Sequence, residues 1–98
     1  MTTIKSKDFT VRRQTITTLP GAVKLIALVA PPGYVVHRDD TRNKAFPDCV
    51  GYKVVYADPI RDQQEGALYY VDFHPSEGHL IFSQGRESIN MRAVYSIK

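Results

Sequence analysis

The sequence predicts a mainly β, antiparallel protein: a sheet, small barrel or sandwich of six or seven strands with at most one or two short helices. Three observations carry this. Apolar runs are short and are cut by Pro and Gly, the punctuation of a β chain. β-branched and aromatic residues fill those runs. The last third alternates apolar and polar residues with a period of two, the pattern of strands with one buried face.

Phe9 to Thr18 is rich in Thr, Val and Ile and reads as the first strand. Phe9 and Val11 share one face and Ile16 falls on the other, so a bulge near Arg12–Arg13 is expected. Pro20–Gly21 supplies a turn, because Pro presets φ and Gly accepts a positive one. Ala22 to Ala30 is apolar at nearly every position and fits a strand buried on both faces or a short buried helix. Its flanking Pro–Gly pairs favour the strand. Pro32–Gly33 makes a second turn before the strand Tyr34 to His37. Asp39 to Cys49 is a polar loop with room for one helical turn. Val50 to Ala57 alternates as a strand. Asp58–Pro59 opens a short helix, Pro59 to Glu65, with Asp as cap, Pro at the first helical position and Gly66 as the stop.

Ala67 to His74, His79 to Ser83 and Ser88 to Ile97 read as a three-stranded meander. A one-residue slip would turn the core face outward, so register follows from the apolar pattern. Phe73 should oppose Leu80, and Val71 should oppose Phe82. By the same logic Leu80 should oppose Met91, and Phe82 should oppose Ile89. His74, His79 and Arg92 would then form one row on the outer face, beside Asp72 and Asn90, with Tyr70 beyond. Tyr70, Asp72, His74, His79, Asn90 and Arg92 are thus one candidate binding patch. The basic loop residues Arg38, Arg42 and Lys44 are the second.

The 98 residues fit one domain, with residues 1–7 expected to be flexible because they are poor in apolar side chains. The net charge of +3 is unevenly placed: residues 1–49 carry eight Lys and Arg against four Asp, and residues 50–98 carry five against six Asp and Glu. A basic first half suits a polyanion or an acidic partner as well as ordinary solvated surface. The single cysteine, Cys49, excludes an intrachain disulfide. The longest apolar stretch, Leu25 to Pro32, is far short of the ~20 residues that span a bilayer. A cytoplasmic protein without a membrane partner is expected.

Catalytic patterns are missing from the sequence. It contains no glycine-rich phosphate loop, no G-x-S-x-G elbow and no H-E-x-x-H pair. Cys49 reads as a small buried hydrophobe rather than a nucleophile. Asp39–Asp40 reads as a solvated loop. A zinc site needs three or four ligands, and Arg92 beside His74 and His79 is a poor neighbour for a cation. No catalytic residue, metal or cofactor is therefore assigned. The expected function is a small non-catalytic binding protein that attaches to a larger protein or nucleoprotein, an accessory or inhibitory module of the kind found in phages and plasmids. The alternatives are a nucleic-acid-binding β domain that uses the basic half, and a metal-binding or enzymatic protein built on His74 and His79.

Overall fold

In the computed structural model of the chain, residues 3–39, 41, 49–75 and 77–97 are described. They form two antiparallel sheets and one short helix. The strands are β1 (Thr3–Val11), β2 (Thr15–Thr18), β3 (Ala22–Val29), β4 (Tyr34–Arg38), β5 (Val50–Tyr56), β6 (Tyr69–His74), β7 (His79–Ser83) and β8 (Ile89–Ile97). The helix α1 (Pro59–Glu65) lies between β5 and β6. One sheet has the order β1-β8-β3, the other β2-β7-β6-β5-β4. The mainly β class and the short helix are those the sequence predicts. The strands among the described residues number eight rather than six or seven.

The additional strand comes from the segment Phe9 to Thr18, which is broken rather than bulged. Arg13 has φ 47°. The Arg12 N–H donates to Thr15 Oγ1, whose hydroxyl returns a bond to the Arg12 carbonyl, each at 2.9 Å. This corner ends β1 in one sheet and starts β2 in the other, as strands that switch layers do. Ile16 is not a core residue; it is 61% exposed, and Thr17 is buried in its place. β1 also begins earlier than Phe9, with Thr3 paired to Ile97.

The two Pro–Gly turns form as expected. Ala22 N–H donates to the Leu19 carbonyl (3.0 Å) and Tyr34 N–H to the Pro31 carbonyl (3.2 Å). Gly21 and Gly33 take φ of 73° and 99° at the third turn position, where a side chain would be strained. Ala22–Val29 is a strand, but not one buried on both faces. Ala22, Leu25 and Leu28 face the core, and two register shifts interrupt its pairing with β8. Asp58 caps α1 by accepting from the Ile60 N–H at 3.0 Å, and Gly66 follows the last turn.

The β6–β7 hairpin has the register read from the sequence: Val71 opposes Phe82, Phe73 opposes Leu80 and His74 opposes His79. The next hairpin does not form. β8 leaves β7 and pairs with β1 and β3, so Met91 opposes Phe9 and Ile89 opposes Val11. Leu80 instead opposes Thr17 on β2. The apolar face of β8 is buried as expected; it is buried from the opposite sheet.

Both sheets contribute to one core. Val11, Leu25, Leu28, Met91, Ala93 and Tyr95 come from the three-stranded sheet, and Val54, Tyr69, Val71, Phe73, Leu80 and Phe82 from the five-stranded one. Full burial of each Val, Leu, Met or Phe among them is worth about 1.5–3 kcal/mol, and with no disulfide this packing holds the layers together. Phe82 is the hub, meeting Phe9 edge-on at 5.7 Å and Tyr69 edge-on at 5.9 Å.

Candidate functional site

Tyr70, Asp72, His74 and His79 do share the outer face of the five-stranded sheet. Ladder pairs define its rows: Thr18, His79 and His74; then Ile16, Ile81, Asp72 and Gly51; then Ser83, Tyr70, Lys53 and His37. The hairpin loop is tied by the N–H groups of Glu77 and Gly78, which donate to the His74 carbonyl at 3.2 and 2.8 Å. His79 Nδ1 lies 3.1 Å from Glu77 Oε2. Asp72 is buried at 7% exposure, so its carboxylate is not the open contact the strand pattern suggests.

Asn90 and Arg92 are not on this face. β8 carries them to the outer face of the three-stranded sheet, on the far side of the sandwich, because its partners are β1 and β3. There the Arg92 guanidinium grips Asp8, Nε to Oδ1 at 2.7 Å and Nη2 to Oδ2 at 3.4 Å. The bond from Arg92 holds the Asp8 carboxyl below the usual carboxylate range. Thr10 Oγ1 donates to Asn90 Oδ1 at 2.8 Å. A row of His74, His79 and Arg92 therefore does not exist, and the expected patch is split in two.

Arg38 ends β4 on the inner side of the five-stranded sheet, in the row of Tyr52, Val71 and Phe82. Its guanidinium carbon stands 5.6 Å from the Tyr52 ring centroid. Burial raises the Tyr52 phenol above its ordinary value, and the Arg38 charge offsets part of that. Arg42 and Lys44 lie outside the described residues.

A polar cluster that the sequence reading did not single out joins α1 to the sheet. The Tyr56 hydroxyl donates to Glu87 Oε2 at 2.8 Å, and Arg61 Nη2 lies 3.6 Å from Glu87 Oε1. Arg61 also pairs with Glu65 one turn along and sits 4.0 Å over the Tyr56 ring. Burial, then the Glu87 bond, raises the Tyr56 phenol. Phenol, carboxylate and guanidinium satisfy one another here, which makes the group a clamp between α1, β5 and the loop before β8. Its only sequence signal is the Arg61–Glu65 spacing of four on a helix.

Among the described residues, no group of three or more His, Cys, Asp or Glu is placed to hold a metal ion. Cys49 is buried and forms no disulfide. No helix among them is long and apolar enough to cross a membrane. No protein-family model matches the chain, and no match is found among curated proteins or solved structures.

Proposed function

We propose that the chain is a small non-catalytic binding module that works in the cytoplasm by attaching to a larger protein or nucleoprotein. The observation that carries this reading is the outer face of the five-stranded sheet, part of which is exposed among the described residues. Ile16 stands there 61% exposed beside the half-buried Ile81. On the ladder Ile81 stands between Ile16 and Asp72, with His79 and Ser83 two residues to either side of it and His74 and Tyr70 two residues to either side of Asp72. Apolar side chains flanked by aromatic and polar groups are the composition of an interface centre with a polar rim. The loop cations Arg42 and Lys44 extend the proposal as long-range steering charges.

The test is capture of partners from a lysate of the source cells by tagged parent and variants, with and without nuclease, identified by mass spectrometry. Ile16→Glu and His79→Glu should each weaken capture of the same partner tenfold or more, the scale of central interface residues, about 1.4 kcal/mol or above. Arg42→Glu should slow association, most visibly at low salt. Arg92→Glu, on the far side of the sandwich, should leave capture unchanged. Loss of all capture with nuclease would assign the partner as nucleic acid. Equal capture by Ile16→Glu, His79→Glu and the parent would remove this face from consideration.

A further inference from the structure

We propose that the edge strand β1 takes up an extended acidic segment of a partner protein as an added strand of the three-stranded sheet. Each sheet ends in two edge strands, β1 and β3 in one and β2 and β4 in the other. Three of these edges are unsuited to long pairing. β2 has four residues and β4 has five, and two register shifts interrupt β3. Short strands and bulges are the usual defences of a sheet edge. β1 has neither. It runs for nine residues in unbroken register with β8, and no described strand pairs with its other side. Every second residue of such an edge turns its N–H and C=O away from the sheet, at the spacing a further strand matches.

The side chains of β1 select the strand that fits. Lys5 and Lys7 oppose Tyr95 and Ala93 on β8, so they share the inner face of the sheet with Phe9 and Val11. Both lysines are nevertheless exposed. Lys7 Nζ reaches the Thr18 carbonyl of β2 at 3.1 Å, and an ammonium has further protons for other acceptors. The corner after β1 adds Arg12 and Arg13, both exposed. The one carboxylate on β1 and β2 is Asp8, which belongs to the outer face and is held by Arg92. A strand laid beside β1 therefore sets its inner-face side chains against two ammoniums and then Phe9. Opposite charges across a strand pair attract and like charges repel. The matching antiparallel segment has an apolar residue opposite Phe9 and acids two and four positions later. A second copy of β1 would double the lysines at the joint, which opposes self-pairing. A nucleic acid would meet the charges, but its phosphates only accept and would leave the edge carbonyls without donors.

This edge belongs to the other sheet from the histidine face, and its test uses isolated peptides. The probes are acetyl-Val-Thr-Glu-Thr-Glu-Val-amide and its counterpart acetyl-Val-Thr-Lys-Thr-Lys-Val-amide, titrated into ¹⁵N-labelled protein. The acidic peptide should bind with a dissociation constant of about 1 mM or tighter. The basic peptide should bind at least about fivefold more weakly, since two cross-strand pairs change from opposite to like charge. At saturation with the acidic peptide, amide exchange should slow at alternate residues of β1. Charge attraction without strand pairing does not produce that pattern. The double variant Lys5→Glu, Lys7→Glu should reverse the order of the two peptides. Should it fail to fold, the comparison in the parent still decides, and Lys5→Glu alone should narrow the gap between the peptides. Equal binding of the two peptides by the parent overturns the proposal. So does the absence of saturable shifts on β1, or protection that does not alternate along it. Tighter binding of a short oligothymidylate than of the acidic peptide also overturns it and assigns these cations to nucleic acid.

Discussion

Gly85→Ala tests the packing at the point where the chain leaves the five-stranded sheet for β8. A Cβ at position 85 would overlap the Tyr69 ring, with Cδ1 at 2.6 Å and two further ring atoms nearer still. The ring cannot easily yield. Tyr69 is fully buried, stands edge-on to Phe82, and donates its hydroxyl to the Glu87 carbonyl, with the Val11 carbonyl 3.3 Å away as a second acceptor. The backbone is pinned as well, since Gly85 N–H donates to the Arg13 carbonyl at 2.9 Å. Overpacking of a tight site costs about 1–3 kcal/mol. A displaced ring also loses its hydroxyl bond, about 1 kcal/mol more; a hydroxyl has one proton, so only one such bond is counted. The sum is about 2–4 kcal/mol. For a domain of this size that lowers the melting temperature by very roughly 8–30 °C. Urea unfolding of parent, Gly85→Ala, Tyr69→Leu and the double variant forms a cycle. The cost of alanine should fall by at least ~1 kcal/mol in the Tyr69→Leu background, because the two positions are in contact. A cost under ~0.5 kcal/mol in the parent, or the same cost in both backgrounds, would refute the reasoning.

Two further predictions concern stability. The phenols of Tyr52, Tyr56 and Tyr69 are all raised above the ordinary 10.0, chiefly by burial. Their contribution is therefore complete below pH 10 and is lost as pH rises through the folded-state values, because the unfolded chain releases these protons first. The urea midpoint should fall steeply above about pH 10, and Tyr56→Phe should flatten that fall; an identical slope in the variant refutes the assignment. Asp58→Ala removes the cap of α1 and should cost about 1 kcal/mol. Amide exchange at Asp62 and Gly66 should quicken, since their N–H groups close the helix onto the Asp58 and Asp62 carbonyls; unchanged exchange there would mean that α1 does not depend on its cap.

Local order was legible where residue type alone decides it. Asp58–Pro59 and Gly66 bracket the helix, and the Pro–Gly pairs make their turns. The β6–β7 register followed from matching Val71 and Phe73 to Phe82 and Leu80. The alternation of β8 correctly placed Ile89, Met91, Ala93 and Tyr95 inward. It could not say which sheet would cover them, because a period of two marks a buried face and carries no identity of the neighbour. Proximity in sequence favoured β7, and the real partners, β1 and β3, are distant. That single misplacement moved Asn90 and Arg92 to the wrong side of the protein. Ile16 misled for a related reason. Its placement on the face opposite Phe9 and Val11 suggested a bulge, whereas the parity running from Phe9 and Val11 through Thr15 and Thr17 continues across the corner and leaves Ile16 outside. The clamp of Tyr56, Arg61 and Glu87 joins three separate segments, and no short window contains it.

The position of β8 between β1 and β3 also orders events in time. Within the five-stranded sheet, β4–β5, β5–β6 and β6–β7 are neighbours in sequence and close short loops. The three-stranded sheet has no such pair: β1 must wait for a strand more than eighty residues later. Loop-closure entropy therefore favours the larger sheet first. During synthesis the earlier strands leave the ribosome with the apolar side chains of β3 and β5–β7 unroofed until Ile89–Ile97 emerges. The last strand acts as the keystone, and a nascent chain stalled before it should be the species that chaperones hold.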